Sequence, residues 1–240
     1  MALENKPEGC SGYGSIGHLP GSKLGPTDSK IPEQQAAIAT IKTRDKHEVV
    51  IVQEKTDGSG TGVVRIDNEI YPITRTGFLA NTSQYEHHRR FAQWALDQKS
   101  RFLKLLKPGE TARGECLMAT HSIRYRLKHE PFVLFDITIK KERVCYDEFV
   151  TRASDDFVLP STVHVGGALS IESAMSKINV KQPDGTYGGH GALDLPEGVV
   201  YRVEKKQKLL FITKYVRSDF EAGKYLDGVS GQGTIWNQVI

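Results

Sequence analysis

The sequence predicts an α+β fold, with antiparallel β-sheets flanked by helices. The first observation is a pair of hairpin patterns: residues 62–74 reverse at Asp67-Asn68, and residues 197–217 reverse at a lysine-rich turn. Asp and Asn between apolar runs favour a tight β-turn. The second observation is a helical pattern over residues 83–106, in which apolar residues recur about every 3.6 positions. Together these patterns predict strands joined by short turns, with helices packed against them.

The composition is that of a globular protein with one large or two small domains. The chain has 240 residues, of which 38% are hydrophobic and 25% are charged, and its net charge is +3. The apolar runs are too short to cross a bilayer, and the first residues lack the apolar core of a signal peptide. Three scattered cysteines, Cys10, Cys116 and Cys145, indicate free thiols in a reducing compartment. We therefore expect a cytoplasmic protein that has no membrane partner.

The N-terminal part of the chain differs from the rest in composition. Residues 1–35 are rich in Gly, Pro and Ser, so we expect a loop-rich segment that lies on the core or is partly disordered. Residues 36–240 show no composition shift that would mark a boundary. They are expected to form one domain, with no separate C-terminal domain.

Apolar runs predict the remaining strands. Residues 36–52 predict two strands, the first around Ile38 and Ile41 and the second in the β-branched run that ends at residue 52. We expect these strands and the first hairpin to form one antiparallel meander. Residues 111–118 and 132–139 predict two more strands.

The helical pattern over residues 83–106 has a capping signal and a basic surface. Thr82 or Ser83 can cap its first turn. The basic residues favour a solvated helix face over one that follows a phosphate backbone. The adjacent His87 and His88 point apart on a helix, which argues against a metal site.

Two later stretches have weaker patterns. Residues 146–180 have a mixed pattern that includes a short helix over residues 170–178. Residues 180–194 are polar and glycine-rich, and we expect a mobile loop there.

The strand that ends at Lys55 is the strongest candidate for chemistry. Its apolar residues predict a buried strand, so Lys55 lies at the end of a rigid element, and the turn that starts at Asp57 brings backbone close to whatever the lysine faces. Lysines at strand ends normally face solvent. Other charged residues at predicted strand ends strengthen the chemical interpretation, and they are Asp57, Arg75, Glu115, Glu197, Lys214 and Arg217.

Such a set of charges suits a polyanionic substrate and a divalent metal. The carboxylates can hold a hydrated metal, and the cations can hold phosphates. A phosphate-binding loop of the Gly-x-x-x-x-Gly-Lys-Ser/Thr type and a Gly-x-Ser-x-Gly hydrolase turn are both absent from the sequence. A strand-borne lysine in such a setting is a candidate nucleophile.

Four segments in order resemble motifs I, III, IV and V of the covalent nucleotidyltransferases, the superfamily of DNA ligases, RNA ligases and mRNA capping enzymes. The segments are Lys55-Thr56-Asp57-Gly58, Phe132–Ile137, Glu197–Arg202 and Leu210–Lys214. Within that superfamily the chain resembles the ATP-dependent RNA ligases of phage and RNA-editing type, over most of residues 12–220. The segments that support this narrower resemblance are Tyr13–Ile16, Thr74–Gly77, Gly114-Glu115 and Lys214–Arg217.

The resemblance implies an ATP-grasp-like nucleotidyltransferase domain that seals RNA. Lys55 would attack the α-phosphorus of ATP, release pyrophosphate and hold AMP. The AMP would pass to an RNA 5′-phosphate, and an RNA 3′-hydroxyl would then attack and release AMP. Only a neutral amine attacks, and a free lysine has a pKa near 10.4, so nearby cations must favour the neutral form.

The resemblance also implies roles for the other matching residues. Lys214 and Glu197 would act with Lys55 in catalysis, with Arg217 joining Lys214 on the α-phosphate. Mg²⁺ or Mn²⁺ would bind through waters at Glu197 and Glu115. The nucleotide-binding set would be Glu54 near the adenine edge, Phe135 stacked on adenine, Glu115 on the ribose, Arg75 on the ribose or the RNA end, and Asp57, Gly58, Lys214 and Arg217.

The chain departs from the family pattern at two positions. Val216 stands where many relatives have a second lysine in motif V, and Gly60 stands where Asn or Arg is common. The expected lack of a C-terminal domain means that RNA binding would depend on the catalytic domain or on an accessory RNA-binding protein. A DNA ligase, a capping-type nucleotidyltransferase and a catalytically inactive nucleic-acid-binding homologue are the alternatives. An RNA repair role, an editing role and tRNA salvage remain equally compatible with these motifs.

Overall fold

Two units, each with its own β-sheet and core, make up the computed structural model, which describes residues 6–240. Unit 1 contains residues 6–14 together with Gly58–Ala119 and Glu130–Leu159. Unit 2 contains Ser15–Asp57, Thr120–His129 and Pro160–Ile240. The division expected from the sequence, at residue 35, stays a prediction.

The elements are twelve strands, mostly in consecutive groups, with six helices and one 3₁₀ turn between them in residues 6–240. The strands are β1 Gly17–His18, β2 Glu48–Lys55, β3 Ser59–Ile66, β4 Glu69–Thr74, β5 Glu110–Cys116, β6 Arg126–Leu127, β7 Phe132–Ile139, β8 Glu142–Arg143, β9 Thr162–Gly166, β10 Gly198–Lys205, β11 Lys208–Val216 and β12 Gln238–Val239. The helices are α1 Glu33–Thr40, α2 Glu86–Asp97, α3 Lys99–Leu105, α4 Tyr146–Ala153, α5 Ile171–Ile178 and α6 Asp227–Ser230, with a 3₁₀ turn at Ala80–Thr82.

Unit 1 is built on a five-stranded antiparallel sheet in the order β4-β3-β5-β7-β8. The predicted hairpin is confirmed as β3 and β4, which reverse at Asp67 with a positive φ of 52°. Residues from α2, α3 and α4 pack on the sheet, and the largest of the buried side chains in this core are Phe91, Phe102, Phe132 and Phe149. Burial of these aromatic rings contributes to the stability of the unit.

The long predicted helix is two helices. The break falls at Gln98, whose φ of −98° and ψ of 18° end α2 and start α3. The predicted cap was also wrong, because the helix begins at Glu86 after Tyr85. The Ser83 hydroxyl instead accepts from the Tyr85 backbone amide at 3.2 Å and contacts His88 Nδ1 at 2.8 Å.

Unit 2 is built on a second five-stranded sheet, in the order β1-β11-β10-β2-β9. The second predicted hairpin is confirmed as β10 and β11. The pairs are antiparallel except for β1, which runs parallel to β11. Buried side chains of β2 and β10 pack with α1 and α5, and they include Val50, Val52, Val199, Tyr201 and Val203. A small two-stranded sheet pairs β12 with β6.

Three predictions about the strands were wrong or incomplete. The segment around Ile38 is helix α1, because Glu33 and the Gln and Ala residues after it are strong helix formers. Ile38 is buried, whereas Ile41 is 79% exposed just past the helix end. Strands β2 and β3 belong to different sheets instead of one meander. Helix α4 and strand β9 lie where the sequence pattern was mixed.

Residues 180–194 are anchored at several points. Tyr187 forms isolated β-bridges with Lys181 and with Ala192, and His190 is only 3% exposed. The expectation of a mobile loop therefore overlooked these anchors. Over the described part of the chain, no helix combines the length and apolarity needed to span a membrane.

Candidate active site

Lys55 is the last residue of β2, a strand bordered by β10 on one side and β9 on the other. Its backbone pairs with Gly198 at the start of β10. The Lys55 Nζ donates to Glu197 Oε2 at 2.6 Å, and the lysine side chain is 24% exposed. The predicted nucleophile therefore lies at a rigid strand end with solvent access and a carboxylate partner.

Glu197 is a buried carboxylate whose charge depends on its neighbours. It is 7% exposed, and burial raises its pKa, with Asp57 raising it further. The ammonium group of Lys55 acts in the opposite direction, and so does Lys214. Since an ion pair removed from water is stable only while both partners stay in place, removal of Lys55 would leave Glu197 with an uncompensated charge.

Lys214 lies on β11, the strand next to β10. It pairs with Val200 on one side and with His18 on the other. Its Nζ lies 3.7 Å from Asp28 Oδ1, and its side chain is 16% exposed. Three neighbouring strands of one sheet thus position the three residues predicted to be catalytic, with Glu197 directly before β10.

Asp57 binds a neighbouring loop of unit 2. Its Oδ2 accepts from the backbone amides of Ser122 at 2.7 Å and Ile123 at 3.0 Å, and its own amide donates to the Tyr125 hydroxyl at 3.0 Å. These contacts fix the chain just after Lys55. A nucleotide contact by Asp57 stays a prediction.

Arg217 braces the backbone beside Glu197. Its amide donates to the Glu197 carbonyl at 3.0 Å, and its Nε donates to the Pro196 carbonyl at 3.0 Å. Its guanidinium also forms an ion pair with Asp219 at 2.8 Å. The structure therefore gives Arg217 a clear structural role, and its predicted phosphate contact stays a prediction.

Glu54 precedes Lys55 and is nearly excluded from solvent. It is 3% exposed, and its Oε2 accepts from the Gly189 amide at 2.7 Å. Burial raises its pKa to about 7, against an ordinary value near 4.5. A methyl group on Gly188 would come within 2.2 Å of the carboxylate, so this glycine permits the close approach.

The buried Glu54 carboxyl should make stability fall with rising pH. Because its folded pKa is above the unfolded one, its contribution is complete below pH 4.5 and is lost as pH rises through about 7. The full penalty is about 3 kcal/mol. We expect the unfolding free energy of Glu54→Gln minus that of the wild type to rise by about 2 kcal/mol from pH 5 to pH 8.5. Urea unfolding at each pH measures this difference.

Comparing Glu54→Gln with the wild type separates the pH dependence due to Glu54 from the opposite pH dependence due to His190. Burial lowers the pKa of His190 to about 3, which reduces stability as pH falls below 6.5. That contribution is common to both proteins and cancels in the difference. The same pH curves are measured for Glu172→Gln, at an exposed carboxylate on α5, as the control for replacing a glutamate. Parallel pH curves for wild type and Glu54→Gln would contradict the prediction.

Sequence reasoning missed a pair of histidines in the same unit. The Ser161 amide donates to His190 Nε2 at 3.2 Å, so His190 holds its proton on Nδ1, which lies 3.1 Å from His129 Nε2. The pair lines a pocket of about 490 Å³ together with Lys128 and most of residues 182–191. Spacing in the sequence gave no signal, since residues 129 and 190 meet only through the fold.

The other predicted nucleotide-binding residues lie in unit 1. Glu115, on β5, accepts from the Gly58 amide through Oε1 at 3.1 Å. Arg75 is exposed, and its carbonyl accepts from the Tyr13 amide at 2.8 Å. Within unit 1, a hydrogen bond therefore joins Glu115 to Gly58, and the Tyr13 amide holds the backbone of Arg75.

Phe135 lies at a β-bulge. In the pairing of β5 with β7, Arg113 faces Asp136 and Gly114 faces Leu134, so Phe135 is the extra residue. Bulges redirect side chains and are frequent next to active sites. The Phe135 ring is half-buried and meets the Tyr13 ring edge-on at 5.3 Å between centroids. An aromatic surface is thus available for stacking, as the prediction requires.

The donor set fits a hydrated divalent cation. Among residues 6–240, no group of three or more His, Cys, Asp and Glu side chains is arranged to hold a metal. Mg²⁺ does not need one, because it keeps several waters and binds one or two carboxylates plus substrate phosphates. Burial and the nearby Asp57 charge both raise the pKa of Glu197, and a cation would offset that repulsion.

Comparisons with known proteins find a matching family and similar folds. An RNA ligase family model matches residues 48–216. A variant RNA ligase of Naegleria gruberi solved with ATP and Mn is similar at 17% identity and a TM-score of 0.51, over 86% of this chain and 61% of that one. The same ligase with pyrophosphate matches at 18% identity and a TM-score of 0.51, over 90% of this chain and 62% of that one.

An archaeal ATP-dependent RNA ligase matches at 18% identity and a TM-score of 0.49, over 86% of this chain and 48% of that one. None of the curated proteins compared with the sequence matches it. The chain spans about three fifths of the length of the Naegleria structures that it matches. The likeness at a TM-score of 0.51 supports the fold, and the predicted α+β class is confirmed.

Proposed function

We propose that this chain, which belongs to the RNA ligase family, joins RNA 3′-hydroxyl and 5′-phosphate ends with ATP. The reaction would pass through a lysyl-AMP intermediate. One observation supports this most strongly. The amine of Lys55 lies at a strand end, 2.6 Å from the buried carboxylate of Glu197, with Lys214 two strands away in the same sheet. A protein that only bound nucleic acid would not need a lysine nucleophile in this setting.

The first step transfers AMP to the lysine. The Lys55 Nζ forms a bond to the α-phosphorus of ATP, and the bond from that phosphorus to the pyrophosphate oxygen breaks. The amine must first lose a proton, and Glu197 accepts it from 2.6 Å away. Burial raises the pKa of Glu197, which favours this proton transfer before a cation is held beside the carboxylate.

Lys214 would stabilise charge on the α-phosphate during this step. A cation fixed on a rigid strand adds most where it needs no rearrangement during the reaction. Glu197, and in our proposal Glu115, would hold Mg²⁺ or Mn²⁺ through waters. The metal would supply neutralisation of the triphosphate charge.

We propose a separate role for each predicted nucleotide-binding residue. In our proposal Phe135 stacks on adenine, Glu54 lies near the adenine edge, Glu115 binds the ribose and Arg75 binds the ribose or the RNA end. The half-buried ring at the bulge and the buried carboxyl are the observations that favour the first two roles. Asp57 and Gly58 would order the turn after Lys55.

The remaining steps use the AMP as an activating group. A 5′-phosphate oxygen of RNA attacks the lysyl-AMP phosphorus, and the bond to Lys55 Nζ breaks. A 3′-hydroxyl then attacks the activated 5′-phosphate, forms the phosphodiester and releases AMP. RNA would bind to the chain itself or with the help of an accessory RNA-binding protein.

A covalent-labelling experiment tests the function. Wild-type protein with Mg²⁺ or Mn²⁺ and α-labelled ATP is expected to gain label that survives denaturation, and unlabelled pyrophosphate should remove it. γ-labelled ATP is the control and should leave no label. If no protein–AMP forms with either metal, the inactive nucleic-acid-binding homologue becomes the better assignment.

A sealing panel separates the enzymatic alternatives. The protein is mixed with 5′-phosphorylated RNA or DNA, as nicked duplexes and as single strands. Sealing of RNA 3′-hydroxyl ends with ATP supports the proposal. Labelling by GTP in place of ATP would indicate a capping-type enzyme, and exclusive sealing of DNA nicks would indicate a DNA ligase.

A further inference from the structure

The segment formed by residues 17–31 packs along the strand that contains Lys214. Strand β1 pairs in parallel with Thr213 and Lys214. The Leu19 amide donates to the Lys214 carbonyl at 2.8 Å, and the Lys23 amide donates to the Val216 carbonyl at 2.9 Å. This segment therefore covers the edge of the unit 2 sheet beside the lysine.

A line of polar side chains runs through the segment. The Val216 amide donates to Ser22 Oγ at 2.9 Å, and Ser22 Oγ lies 2.7 Å from His18 Nδ1. The other ring nitrogen, Nε2, lies 3.2 Å from Asp28 Oδ2. Ser22 is 8% exposed and His18 is 1% exposed, so solvent does not compete for these contacts.

The protons of this line can be assigned. Burial, and the Lys214 charge after it, lowers the pKa of His18, so the ring is neutral and has one proton. Nε2 faces a carboxylate, which places the proton there and lets Nδ1 accept from the Ser22 hydroxyl. The Gly25 amide also donates to Asp28 Oδ2 at 2.8 Å. The Gly25 amide thus holds this oxygen of the carboxylate, and the His18 ring lies beside it.

The second oxygen of Asp28 faces the amine. Asp28 Oδ1 lies 3.7 Å from Lys214 Nζ. We propose that Asp28, held by the Gly25 amide and flanked by the His18 ring, is a positioning residue that fixes the amine of Lys214 for the attack on ATP. This inference rests on the proposed function, since Asp28 acts through Lys214 and touches no reacting atom.

The physical reason is the length of the lysine side chain. Its four methylene groups give Lys214 many rotamers, and an ion pair restricts them before substrate arrives. Displacement of a charge by about 1 Å at a reaction centre can reduce the rate about 100-fold. The charge of Lys214 remains when Asp28 is neutralised, so attraction for the triphosphate persists and the effect falls on the chemical step.

Single-turnover labelling with α-labelled ATP tests the inference. Asp28→Asn is expected to reduce the rate of lysyl-AMP formation at saturating ATP about tenfold or more, while the KM for ATP changes less than about threefold. Asp28→Glu keeps the charge and should recover part of the rate. Asp45→Asn removes another Asp–Lys ion pair, to Lys205 at the far end of β10, and is the control.

A double-mutant cycle decides whether Asp28 acts through Lys214. In a Lys214→Met background, Asp28→Asn should change the residual rate less than about twofold. An equal loss in both backgrounds, or a loss that appears only in KM, would overturn the inference. If Asp28→Asn does not fold, the cycle is run with Asp28→Glu and judged in the same way. If Asp28→Asn is labelled as fast as the wild type, the positioning role of Asp28 is refuted and the proposed function stands. If the wild type is never labelled, the proposed function and this inference are both refuted.

Discussion

Replacement of Lys55 by arginine is expected to abolish covalent labelling by α-labelled ATP, with a loss of at least about 10⁴-fold. A guanidinium keeps the positive charge and can still pair with Glu197, which lies 2.6 Å from the native amine. It does not lose a proton near neutral pH, so it supplies no nucleophile. The rate of lysyl-AMP formation, followed by denaturing gel, measures the loss.

Two further measurements separate chemistry from folding. Lys55→Ala should also lose labelling, and it should be less stable than Lys55→Arg because Glu197 is left buried without its partner. RNA that already has AMP on its 5′-phosphate should still be sealed by Lys55→Arg, since that step forms no bond to the lysine. Label retained on Lys55→Ala would show that another residue is the nucleophile.

Much of the fold could be predicted because the strands of both hairpins contain β-branched and aromatic residues at strand spacing. The turn at Asp67 and the apolar run of β11 have strong local signals. The segment of Ile38 was misread because two isoleucines outweighed the helix-forming residues before them. The break at Gln98 has no local signal, and packing of the two short helices on the sheet decides it.

The site residues that sequence analysis could propose are those that lie in recognisable motifs. Lys55 and Glu197 are far apart in the sequence, and each lies in a recognisable segment that the structure joins through β2 and β10. His18 and Asp28 had no such signal, because they lie in a polar segment that looks like a loop. Their meaning comes from the pairing of β1 with β11, a contact between residues about 200 positions apart.

We expect Gly198, the first residue of β10, to tolerate substitution poorly. It pairs with Lys55 on one side and with Val216 on the other. A methyl group at this position would lie 1.8 Å from the Tyr215 carbonyl oxygen. That atom belongs to the backbone of β11, so β10 and β11 would have to separate. We expect Gly198→Ala to lose at least about 3 kcal/mol of unfolding free energy, measured by urea unfolding.

The same substitution should also remove labelling, because separation of β11 from β10 moves Lys214 away from Glu197 and Lys55. Gly167→Ala is the matched control, since a methyl group there meets no atom within 4 Å. It should change the unfolding free energy by less than about 1 kcal/mol and leave labelling intact. A Gly198→Ala protein that unfolds at the wild-type urea concentration and still forms lysyl-AMP would contradict the close packing of β10 against β11. Loss of labelling with full stability would instead show that the backbone at Gly198 acts directly in the chemistry.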